Sequence, residues 1–536
     1  MPVASGSSDQ MRLRGPLADS YGAAVALVIF ALVPYLALTS AVTSLSSIIG
    51  PQVGLSPQAL QLTDGMANAG YAFGTVMAIQ FAVHLRGRRM LLLYATVFVI
   101  ASLLVVLAPT PGLFIAGRVA QGTCTSLMLI AAVPPLVIGW PVKKMPITAI
   151  VMNMCVFGAV AVGPVIGGVQ AGAQDWRPLF WIVAGLGALA LLFALLTFED
   201  QEPLDPDAPW DWVAMFLAGV GSAAAFFGAS ELTTHPMMSP ITFVPLVCGA
   251  GAILLLVVHQ SLVKRPLMPV RQLATTFPVS AIVIAMAAGA ASVAIIELVQ
   301  TALKQDDPIH TAMLFWPEFG GAVITALLLG AVLRTRFIPV LAFSGMLLLA
   351  GGAAVLHDVS AGSQAIVVIG TGLVGLGVGA SVSPALFICG YSMTSTQIQR
   401  VFALLELLRG VAAFMVAPVL LHLALTVGKS PSAGTSVAMW VCFGVAVGGA
   451  LVALSIFLLG RARLQAPALE RWERAEGPAW ESPPLAARIR GELTRPAGPA
   501  IRPSAPPPAP SSRPRSTRPA PPPSAYAGSP AAEDGT

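Results

Sequence analysis

Three glutamates lie inside long apolar stretches, where a charged side chain is rare. Glu297 and Glu318 have no evident local partner in the sequence, and an apolar environment favours the neutral, protonated carboxyl group. Such a group suits proton uptake and release across a membrane. Glu406 differs because Arg409 follows three residues later, which places both side chains on one face of a helix. For that pair, a structural ion pair and a coupling site remain equally open.

Arg118 also lies inside an apolar stretch and is followed closely by Gln121 and Gly122. An arginine about two helical turns from the membrane surface is rare unless it is paired or faces water. The alternative is a side chain that extends outward to the surface. We favour a functional position, with Arg118 tuning the proton affinity of a nearby carboxylate.

The composition indicates an integral membrane protein. Of the 536 residues, 56% are hydrophobic and only 10% are charged, whereas a soluble domain has roughly 25% charged residues. The net charge of +5 does not require nucleic acid, because eleven of the 29 basic residues follow Gly460 and most others flank apolar stretches. The polar first twenty residues do not resemble a cleaved signal.

Cysteine and histidine patterns give no sign of a metal site. The five cysteines all lie in apolar stretches at spacings unlike those of metal ligands, so we expect free thiols. The six histidines form no metal-binding motif, and neither a serine-hydrolase motif nor a phosphate-binding loop is present. We therefore expect no enzyme, no metal and no cofactor.

Fourteen stretches are long and apolar enough to span a bilayer, which takes about 20 residues per helix. The predicted spans are 22–49, 60–83, 89–108, 112–139, 146–170, 178–198, 210–230, 239–262, 277–303, 309–333, 337–357, 364–390, 401–427 and 437–460. With the N-terminus in the cytoplasm, the cytoplasmic loops hold most of the loop Lys and Arg residues. The even number of spans then places both termini in the cytoplasm.

The sequence changes character after Gly460. Residues 461–495 mix charges with Trp472 and Trp480 and could form a short surface helix. Residues 496–530 include 13 prolines, a composition that cannot bury a core. We therefore predict a proline-rich, disordered cytoplasmic tail over 461–536 and prefer this interpretation to a segment that docks a partner or touches anionic lipid.

A stripe of small residues runs through the fifth span. Ala159, Gly163 and Gly167 recur every four residues, so a second helix can approach this face closely. Pro164 frees the carbonyl four residues earlier, so the helix can bend there, and Gly168 leaves room for the bend. The stripe predicts a tight helix contact, and the bend adds the possibility of a hinge.

These stretches resemble motifs of the major facilitator superfamily. The ending Gly163-Pro164-x-x-Gly167-Gly168 resembles the antiporter motif in the fifth span of exporters, with alanine at 159 in place of a glycine. Arg118 with Gly122 resembles the superfamily's Arg-x-x-x-Gly signature in the fourth span. The stretch 175–180, which reads DWRPLF, resembles the start of the sixth span.

The loop after the second span resembles the superfamily's loop signature, Gly-x-x-x-Asp-Arg-x-Gly-Arg-Lys/Arg. Gly87, Arg88 and Arg89 match, whereas His84 replaces the aspartate and Gln80 the first glycine. In the family the aspartate and arginines latch helix ends together. Because the aspartate is missing, two interpretations are equally open. The loop either latches helix ends as in the family or is a basic loop that only sets the topology.

Two further stretches resemble the fourteen-helix drug:proton antiporter family. They are 209–212, reading PWDW, and 264–269, reading KRPLMP. The resemblance implies an all-α membrane protein with the major facilitator fold and 14 transmembrane helices. Its parts would be a cytoplasmic segment 1–20, six-helix bundles over 21–200 and 264–460, and two inserted helices within 201–263.

The resemblance also implies a cavity surrounded by spans 1, 4, 9 and 12, about which the two halves rock. Its polar content should be small, with Arg118 and Glu297 joined by these candidates: Tyr35, Thr39, Gln121, Ser292, Ser381 and Ser383. Glu297 is the first candidate for proton coupling because its span should line the cavity. Glu318 is the second, beside a bend expected at Pro317, in a span for which a position facing the pathway is less expected than for the ninth.

We therefore expect a monomeric secondary transporter of the multidrug-efflux type in the plasma (inner) membrane. It would export a hydrophobic or amphiphilic small molecule in exchange for protons, with the lipid bilayer as its surroundings and no nucleic acid as partner. Two alternatives remain open. One is a transporter of a specific metabolite or siderophore, and the other is a transport-inactive membrane sensor that signals through its tail.

Overall fold

The computed structural model describes residues 15–197, 203, 205–303, 307–359, 363–427 and 430–485. Within these ranges the chain is helical, and the only strand-like feature is an isolated bridge between Thr275 and Pro484. Most of the predicted N-terminal segment 1–20 and the proline-rich stretch 496–530 lie outside the described residues.

The helices are labelled α1 to α18 in chain order. The first nine are α1 (Tyr21–Val53), α2 (Pro57–His84), α3 (Gly87–Val106), α4 (Pro111–Ile138), α5 (Met145–Asn153), α6 (Ala159–Gly172), α7 (Arg177–Thr197), α8 (Trp212–Glu231) and α9 (Pro240–Leu262). The others are α10 (Val270–Leu273), α11 (Thr276–Ala302), α12 (Pro308–Met313), α13 (Trp316–Val332), α14 (Ile338–Leu356), α15 (Gln364–Tyr391), α16 (Ile398–Thr426), α17 (Pro431–Leu459) and α18 (Leu469–Glu473).

All fourteen predicted spans are helical, which confirms the all-α membrane fold. Within the part of the chain that the structure describes, thirteen helices are long and apolar enough to cross a membrane, by length and composition. Helix α2 has 28 residues but is outside that set, because polar residues such as Asp64 make it less apolar. The count of fourteen spans therefore stays a prediction.

The helices pack into two groups with a pair of helices beside them. In the first group α1 packs on α6 and α7, and α4 packs on α2 and α3. In the second, α11 packs on α16 and α17, and α15 packs on α13 and α14. Helices α8 and α9 pack on each other, and α8 contacts both α2 and α16. The inserted pair thus contacts the first group through α2 and the second group through α16. We call the first group the N-half and the second group the C-half.

Two of the spans are not continuous α-helices. The fifth consists of α5, a π-helical turn at Met154–Gly158 and α6, so the irregular turn precedes Pro164. The tenth is broken between α12 and α13, and Pro317 lies in the first turn of α13 instead of bending a continuous helix. Irregular helical turns of both kinds are frequent at functional sites in transporters.

Residues 461–485, which we call the C-terminal strap, correct the predicted boundary of the tail. The strap packs on the helices and contains α18, so the short helix predicted in this region is present. Trp472 and Trp480 are 0% and 3% exposed. The prediction averaged the composition over 461–536, so it gave little weight to these two residues. Their indole rings bury a large apolar area and dock this part of the chain on the helices.

Candidate functional site

A cavity lies between the N-half and the C-half, with residues of both in its wall. We call the end of the molecule that carries residues 84–89 and 142–144 the basic end, and the cavity extends from the middle of the helices toward the opposite end. Its volume is about 90 Å³, which is small beside the 300–1,000 Å³ or so of sites for drug-sized ligands. The halves must therefore separate before a molecule of that size can enter.

The wall of the cavity contains more polar residues than the sequence suggested, although most of its exposed surface is apolar. Nine of the twenty lining residues are apolar, among them Phe157 and Phe414. The other eleven have polar side chains: Tyr35, Thr39, Ser40, Thr43, Asn68, Tyr71, Ser292, Glu297, Gln300, Glu318 and Arg409. Tyr35, Thr39, Ser292 and Glu297 thus lie where the sequence analysis expected them. Glu318 also lines the cavity, so its helix contributes to the wall although it was ranked behind the ninth span.

Four predicted cavity residues do not line this cavity: Arg118, Gln121, Ser381 and Ser383. Gln121 is buried inside the N-half, where its amide donates to Ser102 Oγ at 3.0 Å. Ser381 donates to the carbonyl of Gly377 at 2.7 Å within its own helix, and Ser383 is also buried. Helix α4 supplies no lining residue to this cavity, whereas α2 and α6 do.

Arg118 is held in a pair behind the cavity wall. Its Nη2 lies 3.0 Å from Asp64 Oδ1, and its Nη1 donates to Gln121 Oε1 at 3.2 Å. The guanidinium also lies 5.5 Å from the centre of the Tyr35 ring. The packing of α2 on α4 brings the Asp64 carboxylate to this buried arginine. Arg118 contacts the cavity wall through Tyr35.

Glu406 and Arg409 form an ion pair at the cavity wall. Arg409 Nη2 lies 2.5 Å from Glu406 Oε2, and the hydroxyl of Tyr71 donates to the same oxygen at 3.4 Å. Tyr71 belongs to α2, so this contact joins the two halves. The Arg409 guanidinium also lies 5.9 Å from the ring centre of Phe157 in the π-helical turn.

Several buried polar atoms of the wall have no hydrogen-bond partner among the described residues. They are Tyr35 Oη, Glu318 Oε2 and both amide atoms of Gln300. Leaving such an atom unsatisfied costs about 1–3 kcal/mol, so each marks a point where a polar group can bind. Sequence reasoning missed Gln300, and the available signal was its position three residues after Glu297 on the same helix face.

The small-residue stripe of the fifth span packs on α1. A Cβ added at Gly163 would lie 2.5 Å from the Ala37 carbonyl oxygen, and one at Gly167 equally close to that of Ala41. Ser40 Oγ donates to the Val160 carbonyl at 2.6 Å, so α1 satisfies the acceptor that Pro164 frees. The stripe is therefore a contact inside the N-half.

Gly168 faces the other half of the molecule. A Cβ at this position would lie 2.9 Å from the carbonyl oxygen of Pro308 in α12. The C-terminal end of the motif thus abuts the C-half, at the end of the molecule opposite the basic end. Any side chain here would push the two halves apart.

The loop between α2 and α3 contacts more than solvent. The His84 ring stacks on Trp210 with 4.4 Å between ring centres, and its Nε2 lies 2.8 Å from the Ala208 carbonyl oxygen. Arg88 Nη2 donates to the carbonyl of Leu195 at 3.0 Å. Gly87 begins α3, while Arg89 is exposed. Histidine in place of the family's aspartate thus joins the loop to the segment before α8.

Comparison with known proteins gives consistent matches. The sequence profile described as Major Facilitator Superfamily matches residues 24–417. An uncharacterized MFS-type transporter of Bacillus subtilis, YubD, is 25% identical over 336 residues, covering 61% of this chain and 64% of the relative. The lincomycin resistance protein LmrB of Bacillus subtilis is 26% identical over 240 residues, covering 44% of this chain and 46% of the relative.

The drug efflux pump JefA of Mycobacterium tuberculosis is 25% identical over 275 residues, covering 49% of this chain and 54% of the relative. The chain thus spans between about half and two thirds of the length of these relatives. Among solved structures, the human organic anion transporter MFSD10 has a TM-score of 0.56 at 12% identity, covering 81% of this chain and 99% of that one. A peptide-bound transporter of the POT family has a TM-score of 0.61 at 13% identity, covering 82% and 96%. These structures share the fold.

Proposed function

Because the chain belongs to the Major Facilitator Superfamily and is a multi-pass membrane transporter, we propose that it exports hydrophobic or amphiphilic small molecules in exchange for protons. The observation that carries this proposal is the cavity between the halves, whose wall combines aromatic rings with two carboxyl groups, Glu297 and Glu318. The names of two relatives, a lincomycin resistance protein and a drug efflux pump, support export of drug-like molecules. The transporter acts as a monomer in a bacterial inner membrane, with its basic end in the cytoplasm.

The substrate binds among the aromatic side chains of the cavity. Phe157 and Phe414 offer apolar surface, and the Tyr35 hydroxyl and Gln300 amide offer unsatisfied hydrogen-bonding atoms. Apolar walls with few polar groups are typical of sites for drug-sized molecules. Because the cavity is small in this conformation, binding accompanies the rocking of the halves that alternating access requires.

Proton coupling resides in Glu297 and Glu318. A bare carboxylate in an apolar cavity is costly, so each conformational change is easier when the carboxyl group is protonated. Glu406 is less suited to this task, because Arg409 and Tyr71 both donate to its Oε2 and hold it in an ion pair. Glu297 remains the first candidate, and the position of Glu318 in the same wall makes it a close second.

The decisive experiment measures export in inside-out vesicles. Protein in vesicles energised with an inward-acidic pH gradient should accumulate fluorescent lipophilic probes, and an uncoupler should abolish the accumulation. The matched control carries both Glu297→Gln and Glu318→Gln and should show no gradient-dependent flux. Accumulation that persists unchanged with the uncoupler would rule out proton exchange.

The polar share of the cavity wall favours one alternative, transport of a specific polar metabolite. Eleven of the twenty lining residues carry polar side chains that can hydrogen-bond a polar solute, although most of the exposed wall is apolar. The same vesicles separate the two functions through a substrate panel. Competition by many unrelated lipophilic compounds supports multidrug export, whereas competition by a single polar compound and its close analogues supports the specific transporter.

A further inference from the structure

The C-terminal strap is anchored by two buried tryptophans at the basic end. Trp472 Nε1 donates to the carbonyl of Met393 at 2.9 Å, and Trp480 Nε1 donates to Ser392 Oγ at 2.9 Å. Both rings pack edge-on against Tyr391, with ring centres 5.3 and 5.6 Å away. The last residue of α15 is thus enclosed by the strap.

The strap also bonds to the backbone at two helix ends. Ala479 N donates to the Tyr391 carbonyl at 2.8 Å, and Thr276 N donates to the Pro483 carbonyl at 3.0 Å. Ser482 Oγ accepts from Phe277 N at 3.0 Å. Two of the first N–H groups of α11, which have no partner inside that helix, are satisfied by the strap.

Tyr391 and α18 carry these contacts across to the N-half. The hydroxyl of Tyr391 donates to Met145 Sδ at 3.0 Å, and α18 lies against the short 3₁₀ helix Val142–Lys144. A further contact between the halves at this end runs from Gln399 Nε2 to the carbonyl of Ile130, at 3.1 Å. The strap therefore contacts the C-half at several points and the N-half through α18.

We propose that the C-terminal strap holds the basic end closed and that Trp472 and Trp480 are positioning residues that act through Tyr391. Opening at this end separates Tyr391 from Met145 and α18 from Val142–Lys144. While the Trp472 and Trp480 side chains pack on Tyr391, the strap resists both of these separations. Release of the strap removes this resistance and shifts the conformational equilibrium toward the state that is open at the basic end. This inference concerns the conformational equilibrium and holds whatever the substrate or coupling ion.

The test is the labelling rate of a cysteine at Ile130, a fully buried residue on α4. The strap makes none of its contacts described above with α4, so labelling there reports opening and not the loss of a local cover. Full-length protein with its native cysteines replaced carries Ile130→Cys and is treated with a membrane-impermeant maleimide from the basic-end side. Trp472→Ala and Trp480→Ala should each raise the labelling rate at least threefold.

The matched control is Trp440→Ala, which removes a half-exposed tryptophan of α17 near the opposite end of the molecule. It should leave the labelling rate unchanged. Trp472→Phe keeps a ring against Tyr391 but loses the bond to Met393, so its rate should be intermediate. Equal rates in the wild type and both alanine variants would overturn the proposal.

A cross-link keeps the test decisive if the alanine variants fail to fold. Lys143→Cys and Arg471→Cys, joined by a short bismaleimide, tie α18 to the N-half without disturbing the buried indoles. After that reaction is quenched, a cysteine at Ile130 should be labelled at least threefold more slowly than in the same variant left unlinked. Labelling at the same rate with and without the link would contradict a closing role for the strap.

Discussion

The carboxyl groups around the cavity differ in the donors that surround them. Glu406 Oε2 accepts from Arg409 and Tyr71, whereas Glu318 Oε2 has no partner among the described residues. Two donors hold the Glu406 carboxylate in an ion pair, whereas no such partner holds Glu318. A group that must gain and lose a proton in each cycle is better placed at Glu297 or Glu318 than at Glu406.

Glu297→Gln should keep substrate binding and lose gradient-driven export. Glutamine resembles the protonated carboxyl group but cannot release a proton, so a proton-coupled cycle stops. Binding of a fluorescent probe to purified protein and its accumulation in inside-out vesicles measure the two properties separately. If Glu297→Gln exports normally and Glu318→Gln does not, coupling belongs to Glu318, and normal export by both contradicts coupling through either residue.

Glu406→Gln should mainly lower stability. The substitution leaves the buried Arg409 without its counter-charge, which in buried pairs costs about 3–5 kcal/mol. The melting temperature of the detergent-solubilised protein should therefore fall clearly. Glu476→Gln is the matched control, because its pair with Arg474 is exposed and contributes about 0–1 kcal/mol. An unchanged melting temperature for Glu406→Gln would argue against a structural ion pair.

The fifth span combines a π-helical turn, a proline and a bare glycine face. The glycine face packs on α1, and Ser40 satisfies the carbonyl that Pro164 frees. The π-helical turn brings Phe157 into the cavity wall. The element thus joins the cavity to the contact between α1 and α6, and a change in its bend would alter both.

Gly163→Leu should abolish transport while the protein still inserts into the membrane. Its side chain has no room beside Ala37, so α1 and α6 must move apart. Export by membranes with matched protein amounts measures the effect. Gly185→Leu is the control, because a Cβ at Gly185 meets no atom within 4 Å, and it should export normally. Wild-type export by Gly163→Leu would show that this contact is unimportant for the cycle.

At the scale of the whole molecule, the basic residues gather at one end. Arg86, Arg88, Arg89, Lys143 and Lys144 lie in the loops and adjoining helical turns of the basic end. Positive charge of this kind is retained on the cytoplasmic side during insertion. The strap docks at the same end, so the closing device that we infer would act from the cytoplasm.

Cysteines placed at Lys143 and Gln174 should be labelled from opposite sides of the membrane. Both positions are exposed, at the two ends of the fifth span. An impermeant maleimide added to intact cells should reach Gln174→Cys but not Lys143→Cys, and inside-out vesicles should reverse the pattern. Labelling of both from one side would contradict the predicted topology.

The sequence by itself determined the membrane class, the positions of the long helices and the superfamily. These properties depend on apolar stretches of about 20 residues and on short motifs such as the one ending at Gly168, both of which are local in the chain. The ion pair of Glu406 and Arg409 was predictable for the same reason, since three residues along a helix place two side chains on one face.

Only the tertiary structure decided which polar residues share the cavity and which partners they have. The pairing of Asp64 with Arg118 depends on the packing of α2 on α4, and the exclusion of Ser381 depends on the rotation of α15. The docking of Trp472 and Trp480 depends on a surface formed by the ends of α11 and α15. The residues in contact are dozens to hundreds of positions apart in the sequence, so helix packing and helix rotation determine which of them meet. Local periodicity carries no information about packing or rotation.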